Sequence, residues 1–252
     1  MDVLSALRLQ IEWGADEALD ASPIDRTRPA ALRATPAVAA PVAQVSVPPR
    51  LGPVARAQAV AQAASSLDEL RAAVAAFTDC PLAATATNLV FSDGNPQAGL
   101  VLVGEAPGSD EDLAGKPFAG PTGQFLDRML ASIGLDRTQL LITNLIPWRP
   151  PGNRPPSDSE VQMCLPFLRR HLELARPRIV VSLGALSTRA LTGNEAGIRK
   201  MRGRWLSLDV EGTGQVRLLP MLHPAYLIRM PATKRDAWAD LLALKQALAA
   251  KP

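Results

Sequence analysis

Leu100-Val101-Leu102-Val103-Gly104-Glu105-Ala106-Pro107-Gly108 is an apolar run that breaks into glycine and proline, and its reading decides the fold. Four consecutive apolar residues, bounded by turn formers, predict a strand buried on both faces. The loop continues through Ser109-Asp110-Glu111-Asp112 and Gly115-Lys116-Pro117-Phe118-Ala119-Gly120-Pro121-Thr122-Gly123, and Gln124 to Ile133 reads as a helix. A loop with acids and one lone aromatic at the end of a buried strand is where an α/β fold places its chemistry. Its glycines let backbone approach a ligand closely, and its prolines stiffen the surround.

Outward from this loop, apolar runs and helical stretches alternate. Ser66-Leu67-Asp68-Glu69 predicts a capping box opening a helix through Phe77, and Ser157-Asp158-Ser159-Glu160 another running to Ala175. Leu140–Thr143, Ile179–Leu183, Trp205–Val210 and Val216–Leu222 read as strands, Gly184 opens a helix through Leu191, and Pro231–Ala249 reads as the last helix. This alternation predicts an α/β class, a three-layer αβα sandwich with a central, mostly parallel sheet. Ahead of it, Val3–Leu19 has helical apolar spacing, and the composition then shifts to alanine and proline. The expected organisation is a helical arm at 1–20, a linker at 21–55 and one compact domain at 56–252.

Bulk properties exclude several classes. The 252-residue chain carries a formal net charge of +3, with a pI near 9.2. That balance suits a protein that meets phosphate backbones, and equally suits ordinary charge scatter. Two cysteines in a chain this long point to a reducing compartment. The first residues lack a signal-peptide core, and no stretch approaches the ~20 apolar residues of a membrane span. The expectation is a soluble cytoplasmic protein with no membrane partner. The loop has no Gly-Lys-Ser/Thr ending, no Gly-x-Gly-x-x-Gly spacing and no Gly-x-Ser-x-Gly elbow, which argues against a nucleoside triphosphatase, a dinucleotide enzyme and a serine hydrolase.

Three chemistry-bearing positions fall at strand ends: Glu105, Asn144 and His223. The Asn144 amide offers a donor and an acceptor side by side, the complement of a base edge such as uracil's; it could also cap the following turn. Phe118 could stack on a flat ligand or fold onto the core. A neutral His223 could donate to an oxygen that gains charge in a transition state, or serve structure alone. Glu105 could activate a water or stabilise positive charge on a sugar. Glu111 and Asp112 could cap the neighbouring helix or solvate the loop. Together these groups describe a pocket for a flat, polar, uncharged ring with a carboxylate at its edge.

In order, Gly104-Glu105-Ala106-Pro107-Gly108 with Glu111-Asp112, Gly115, Pro117-Phe118 and Gly120, then Thr143-Asn144, Arg149-Pro150-Pro151-Gly152-Asn153-Arg154 and His223-Pro224-Ala225-Tyr226-Leu227-Ile228-Arg229 resemble the family 4 uracil-DNA glycosylases, from about Phe77 to Leu248. The resemblance implies removal of uracil from DNA by cleavage of its N-glycosidic bond, with uracil-containing DNA as partner; the fold and charge suggest a monomer. It implies Glu105 and His223 as catalytic groups and Ala106, Phe118 and Asn144 as the uracil pocket. It also implies that Pro224, Tyr226 and Arg229 belong to a loop that pushes into the duplex. Lys200, Arg202 and Arg204 are further phosphate candidates, or simply a solvated face.

One departure stands out. The family typically carries a four-cysteine 4Fe-4S iron–sulfur cluster, and the matching positions here are Phe77, Cys80, Trp148 and Cys164. Two thiolates do not supply a four-cysteine site. His171, seven residues beyond Cys164, lies ~10.5 Å further along a helix, too far to join one metal. The expectation is therefore no cofactor and no metal, with Phe77 and Trp148 filling the space and two buried thiols beside them. Other readings are a lesion-binding module without turnover, a glycosylase for another deaminated base, and a trap-type relative that bonds uracil through a histidine after Asn144. The last is disfavoured, because Leu145–Asn153 holds no histidine. Nothing in the linker identifies a repair-protein partner.

Overall fold

The computed structural model describes residues 51–250; the expected arm at 1–20 and most of the linker at 21–55 lie outside them. The first helix among the described residues, α1 (Pro53–Ala63), starts inside the expected linker. Pro53 takes the first helical turn, where a missing N–H costs nothing, and Ala57 and Ala61 bury their faces. In α2 (Leu67–Ala75), Ser66 Oγ accepts from the Glu69 N–H at 3.2 Å, as expected of a cap. The Glu69 carboxylate returns to the N–H of Ser65 at 2.7 Å, so the reciprocal bond falls one residue earlier than the sequence suggested. Then come α3 (Pro81–Thr85) and a short strand, β1 (Ser92–Gly94), that the sequence reading missed.

Strand β2 (Leu100–Gly104) is buried throughout. The loop after it contains a helix, α4 (Ser109–Ala114), where the sequence suggested only irregular chain. The chain continues through α5 (Pro121–Ala131), β3 (Leu141–Asn144), α6 (Asp158–Ala175), β4 (Ile179–Leu183), α7 (Ala185–Thr192) and α8 (Ile198–Met201). It closes with β5 (Leu206–Val210), β6 (Gly214–Met221), α9 (Pro224–Arg229) and α10 (Lys234–Ala249).

Among the described residues six strands form one sheet in the order β1-β3-β2-β4-β6-β5. The four inner strands are parallel, and the two edge strands pair antiparallel. Strand alternation sends side chains to two separate cores. Val101, Val103, Leu141, Val180 and Leu218 pack with Leu70 and Val74 of α2 and with Phe167 and Leu172 of α6. Leu102, Ile142, Val181 and Leu219 pack on the other face with Leu126 and Leu130 of α5 and Leu241 of α10. The result is the expected three-layer α/β sandwich.

Candidate active site

The connection after β2 leads to β3 on one side, and the connection after β3 crosses to β4 on the other. Such a switch point opens a crevice beyond the strand ends. A cleft of about 820 Å³ lies there, lined by Glu105 and Ala106 after β2, Gly184–Leu186 after β4, and His223, Tyr226 and Arg229 after β6.

Oε1 of Glu105 accepts from the backbone N–H of Leu186 at 2.9 Å, at the start of α7. Burial raises the carboxyl pKa, while the Leu186 and Ala185 N–H groups and the Arg229 charge pull it back. His223 caps α9: its Nδ1 accepts from the Ala225 N–H at 3.2 Å. Loss of hydration, then the Arg229 charge, lowers the imidazole pKa to about 4. The ring is neutral near pH 7, and with Nδ1 accepting, its proton sits on Nε2 as a donor.

Phe118 and Asn144 are buried, 2 % and 5 % exposed, and do not line the open cleft. The Phe118 ring packs near-parallel to that of His223 at 5.6 Å. Gly104 pairs with Asn144 across β2 and β3. A Cβ on Gly104 would stand 2.2 Å from Asn144 Oδ1 and 2.8 Å from the Phe118 ring, so this glycine brings amide and ring to one point. Asn144 ends its strand and is not a residue of the turn. Among the described residues, the buried side-chain polar atoms without a hydrogen-bond partner are Asn144 Nδ2 and His171 Nε2. Burying an amide donor unpaired is unfavourable, and such groups are rare in folded proteins.

The other residues singled out from sequence divide. Arg229 is exposed at the cleft rim, with Tyr226 half-buried beside it. Pro224 is buried as the first residue of α9, and the segment expected as a loop is helical. Arg202 does not reach the site. Its guanidinium bonds the buried Asp240 carboxylate at 2.9 Å through Nε, with a second bond through Nη2. Its charge is committed inside the protein, which removes it from the phosphate candidates. Arg204 and Lys200 are exposed and do not line the cleft. Sequence reasoning missed Arg189 on the cleft wall, and quoted Arg154 without a role. Neither stands in a pattern that distinguishes it from any surface arginine.

The four positions matching the iron–sulfur ligands do not fit that cluster. Phe77, Cys80, Trp148 and Cys164 all lie in one buried apolar core. Phe77 meets Phe167 edge-on at 5.0 Å. The neighbouring Cys164 thiol lowers the Cys80 pKa to about 7, while Cys80 together with burial raises that of Cys164 well above its ordinary value. His171 stacks on Phe91 at 4.7 Å, and burial lowers its pKa to about 4. Among the described residues no three His, Cys, Asp or Glu side chains are arranged to hold a metal.

A mostly parallel α/β sheet with a carboxylate, a neutral imidazole and an unpaired amide at its strand ends makes a site suited to a flat, polar ring. Residues 91–242 match the Uracil DNA glycosylase superfamily, and the chain belongs to it. It is 35% identical to a type-4 uracil-DNA glycosylase of Saccharolobus solfataricus, over 74% of this chain and 88% of that protein. It is 37% identical to the type-4 enzyme of Archaeoglobus fulgidus, over 69% of this chain and 89% of that one. The type-4 enzyme of Thermotoga maritima is 37% identical over 60% of this chain and 78% of its own length.

Proposed function

We propose that this protein is a uracil-DNA glycosylase that hydrolyses the N-glycosidic bond of uracil in DNA and leaves an abasic site. The observation that carries the reading is the unpaired Nδ2 of Asn144, buried against the Phe118 ring at Gly104. Uracil O4 accepts what that nitrogen offers, and uracil N3–H donates to the Oδ1 beside it. A base in a duplex reaches the pair only if flipped out, which costs a few kcal/mol. Stacking on an aromatic face returns ~1–3 kcal/mol.

Bond cleavage moves electrons from the glycosidic bond onto uracil and leaves positive charge on the sugar. The Nε2–H of neutral His223 donates to the uracil oxygen as charge builds there. The Glu105 carboxylate, kept ionised by the first N–H groups of α7, faces the cationic sugar and orients the attacking water. Arg229 at the rim supplies a phosphate contact, whereas Arg154 on the wall is held by both oxygens of the buried Glu160 carboxylate and Arg189 bonds Asp158 at 3.2 Å. The chemistry needs no metal, and we propose that the protein works without an iron–sulfur cluster, Phe77 and Trp148 taking its place in the core. The chemistry proposed calls on no residue of a second subunit, and action as a monomer is part of the proposal. Two buried free thiols suit the cytoplasm, and no helix among the described residues is long and apolar enough to cross a membrane.

The test is uracil release from labelled DNA, with EDTA present, by wild type beside Glu105→Ala and Asn144→Ala. Release that falls at least ~100-fold in both variants supports the assignment. Tight binding without release returns the protein to a lesion-binding role.

A further inference from the structure

Phe118 has φ 51, in the left-handed region that an aromatic residue rarely adopts. Both of its backbone polar groups are held by charged side chains from separate elements. Its N–H donates to Glu111 Oε1. The other oxygen of the same carboxylate accepts from the Gly108 N–H at 2.6 Å, so Glu111 ties both ends of the loop together. The Phe118 carbonyl accepts from Arg137 Nη2 at 2.7 Å, and Nη1 reaches the Pro117 carbonyl at 3.3 Å. Arg137 is itself braced by Asp93 at 2.8 Å and Asp127 at 2.9 Å. A Cβ on Gly123 would lie 1.6 Å from the Phe118 carbonyl oxygen, so the carbonyl rests on the first turn of α5. Neither Glu111 nor Arg137 lines the cleft.

We propose that Glu111 and Arg137 are positioning residues: they peg the Phe118 backbone so that its ring stands against Gly104 and Asn144 as the stacking face of the base pocket. This rests on the base-excision reading above. Charge-assisted bonds are about twice as strong as neutral ones, which suits them to holding a disfavoured backbone conformation. Without the peg, the Phe118 φ relaxes to negative values and the ring leaves Gly104. Asn144 then faces a base with no stacking partner. Glu111 thus does more than cap α4 or solvate the loop.

A double-mutant cycle separates positioning from general loop stability. Glu111→Gln keeps the length and one acceptor oxygen but cannot accept from both N–H groups, and Arg137→Lys keeps the charge without the fork. Each should lower kcat/KM for uracil release by ~10–100-fold in the full chain. On a Phe118→Ala background, the same substitutions should change kcat/KM by less than about twofold, since they act through that ring. Full multiplicative losses on that background would overturn the proposal, as would a wild-type kcat/KM in both single variants. A crystal structure of Glu111→Gln reads the same point without activity: Phe118 still at positive φ with its ring on Gly104 would sink it. A wild type that releases no uracil defeats the base-excision reading, whereas the Phe118 geometry in that crystal still tests the peg.

Discussion

A Cβ at Gly184 would lie 2.4 Å from Oε1 of Glu105, so the carboxylate occupies space that glycine leaves open. Gly184 also has φ 105, which L side chains rarely adopt. Gly184→Ala should displace the carboxylate from the start of α7 and lower uracil release by ~100-fold. Glu105→Gln, which keeps the shape and removes the charge, should lose ~10²–10⁴-fold. Single-turnover kinetics check both, and a wild-type rate in Gly184→Ala would break the link between glycine and carboxylate.

The pH profile should carry the signature of Glu105. The proposed active form has Glu105 ionised and His223 neutral. Burial raises the Glu105 pKa above its ordinary value, and the His223 pKa is lowered to about 4. The rate should therefore fall as pH drops through the raised Glu105 pKa. In Glu105→Gln the remaining acid limb should move down to about pH 4, where His223 gains its proton. An unshifted limb in that variant would assign the titration elsewhere.

Arg202 and Arg229 should behave as opposites. The side chain of Asp240 is 2 % exposed beside Arg202. Removing its partner leaves a buried carboxylate, whose pKa burial already raises to about 6. Arg202→Ala should cost ~3–5 kcal/mol of stability in urea titration, while the salt dependence of DNA binding stays unchanged. Arg229→Ala should leave stability within ~0.5 kcal/mol. It should weaken DNA binding and reduce the salt slope by about one phosphate contact.

His171 makes the fold sensitive to acid. Its pKa is lowered to about 4 in the folded protein from an ordinary value of 6.5. The unfolded chain therefore binds the proton first. The stabilising contribution of the neutral ring is full above pH 6.5 and is lost as pH falls towards 4. His171→Leu should gain ~2 kcal/mol relative to wild type between pH 7 and pH 5. Thermal melts at the two pH values measure this, and a constant difference would show that His171 does not titrate as described.

The apolar plug should make the protein indifferent to iron. Metal analysis of the purified chain should find no stoichiometric iron, and about four irons per chain would overturn the cluster-free assignment. Phe77→Ala should destabilise by ~3–5 kcal/mol, as a cavity in a packed core does.

The sheet was legible because its central strands are buried on both faces, so Leu100–Val103 and Ile179–Val181 are unbroken apolar runs. Strand β1 was not, since Ser92-Asp93-Gly94 pairs by backbone alone at an edge. Helix α4 hid inside a glycine-rich stretch because six residues are too few to show a period. Phe118, Asn144, Glu105 and His223 stood out as chemistry-bearing residues at loop and strand ends. Glu111 did not, because its task is set by two N–H groups, on Gly108 and Phe118, that sequence distance separates.

By itself, the sequence determined the layer architecture, the order of the strand-end motifs and the loss of two cluster cysteines. These follow from periodicity and side-chain chemistry, which are local. Tertiary structure alone decided that Gly104 brings Asn144 to Phe118, that Gly184 admits Glu105, and that Arg202 is held by Asp240 while Arg229 stays at the rim. Those relationships depend on distances between elements far apart in the chain. Such distances are set by how two cores pack on a twisted sheet, and no local pattern encodes them.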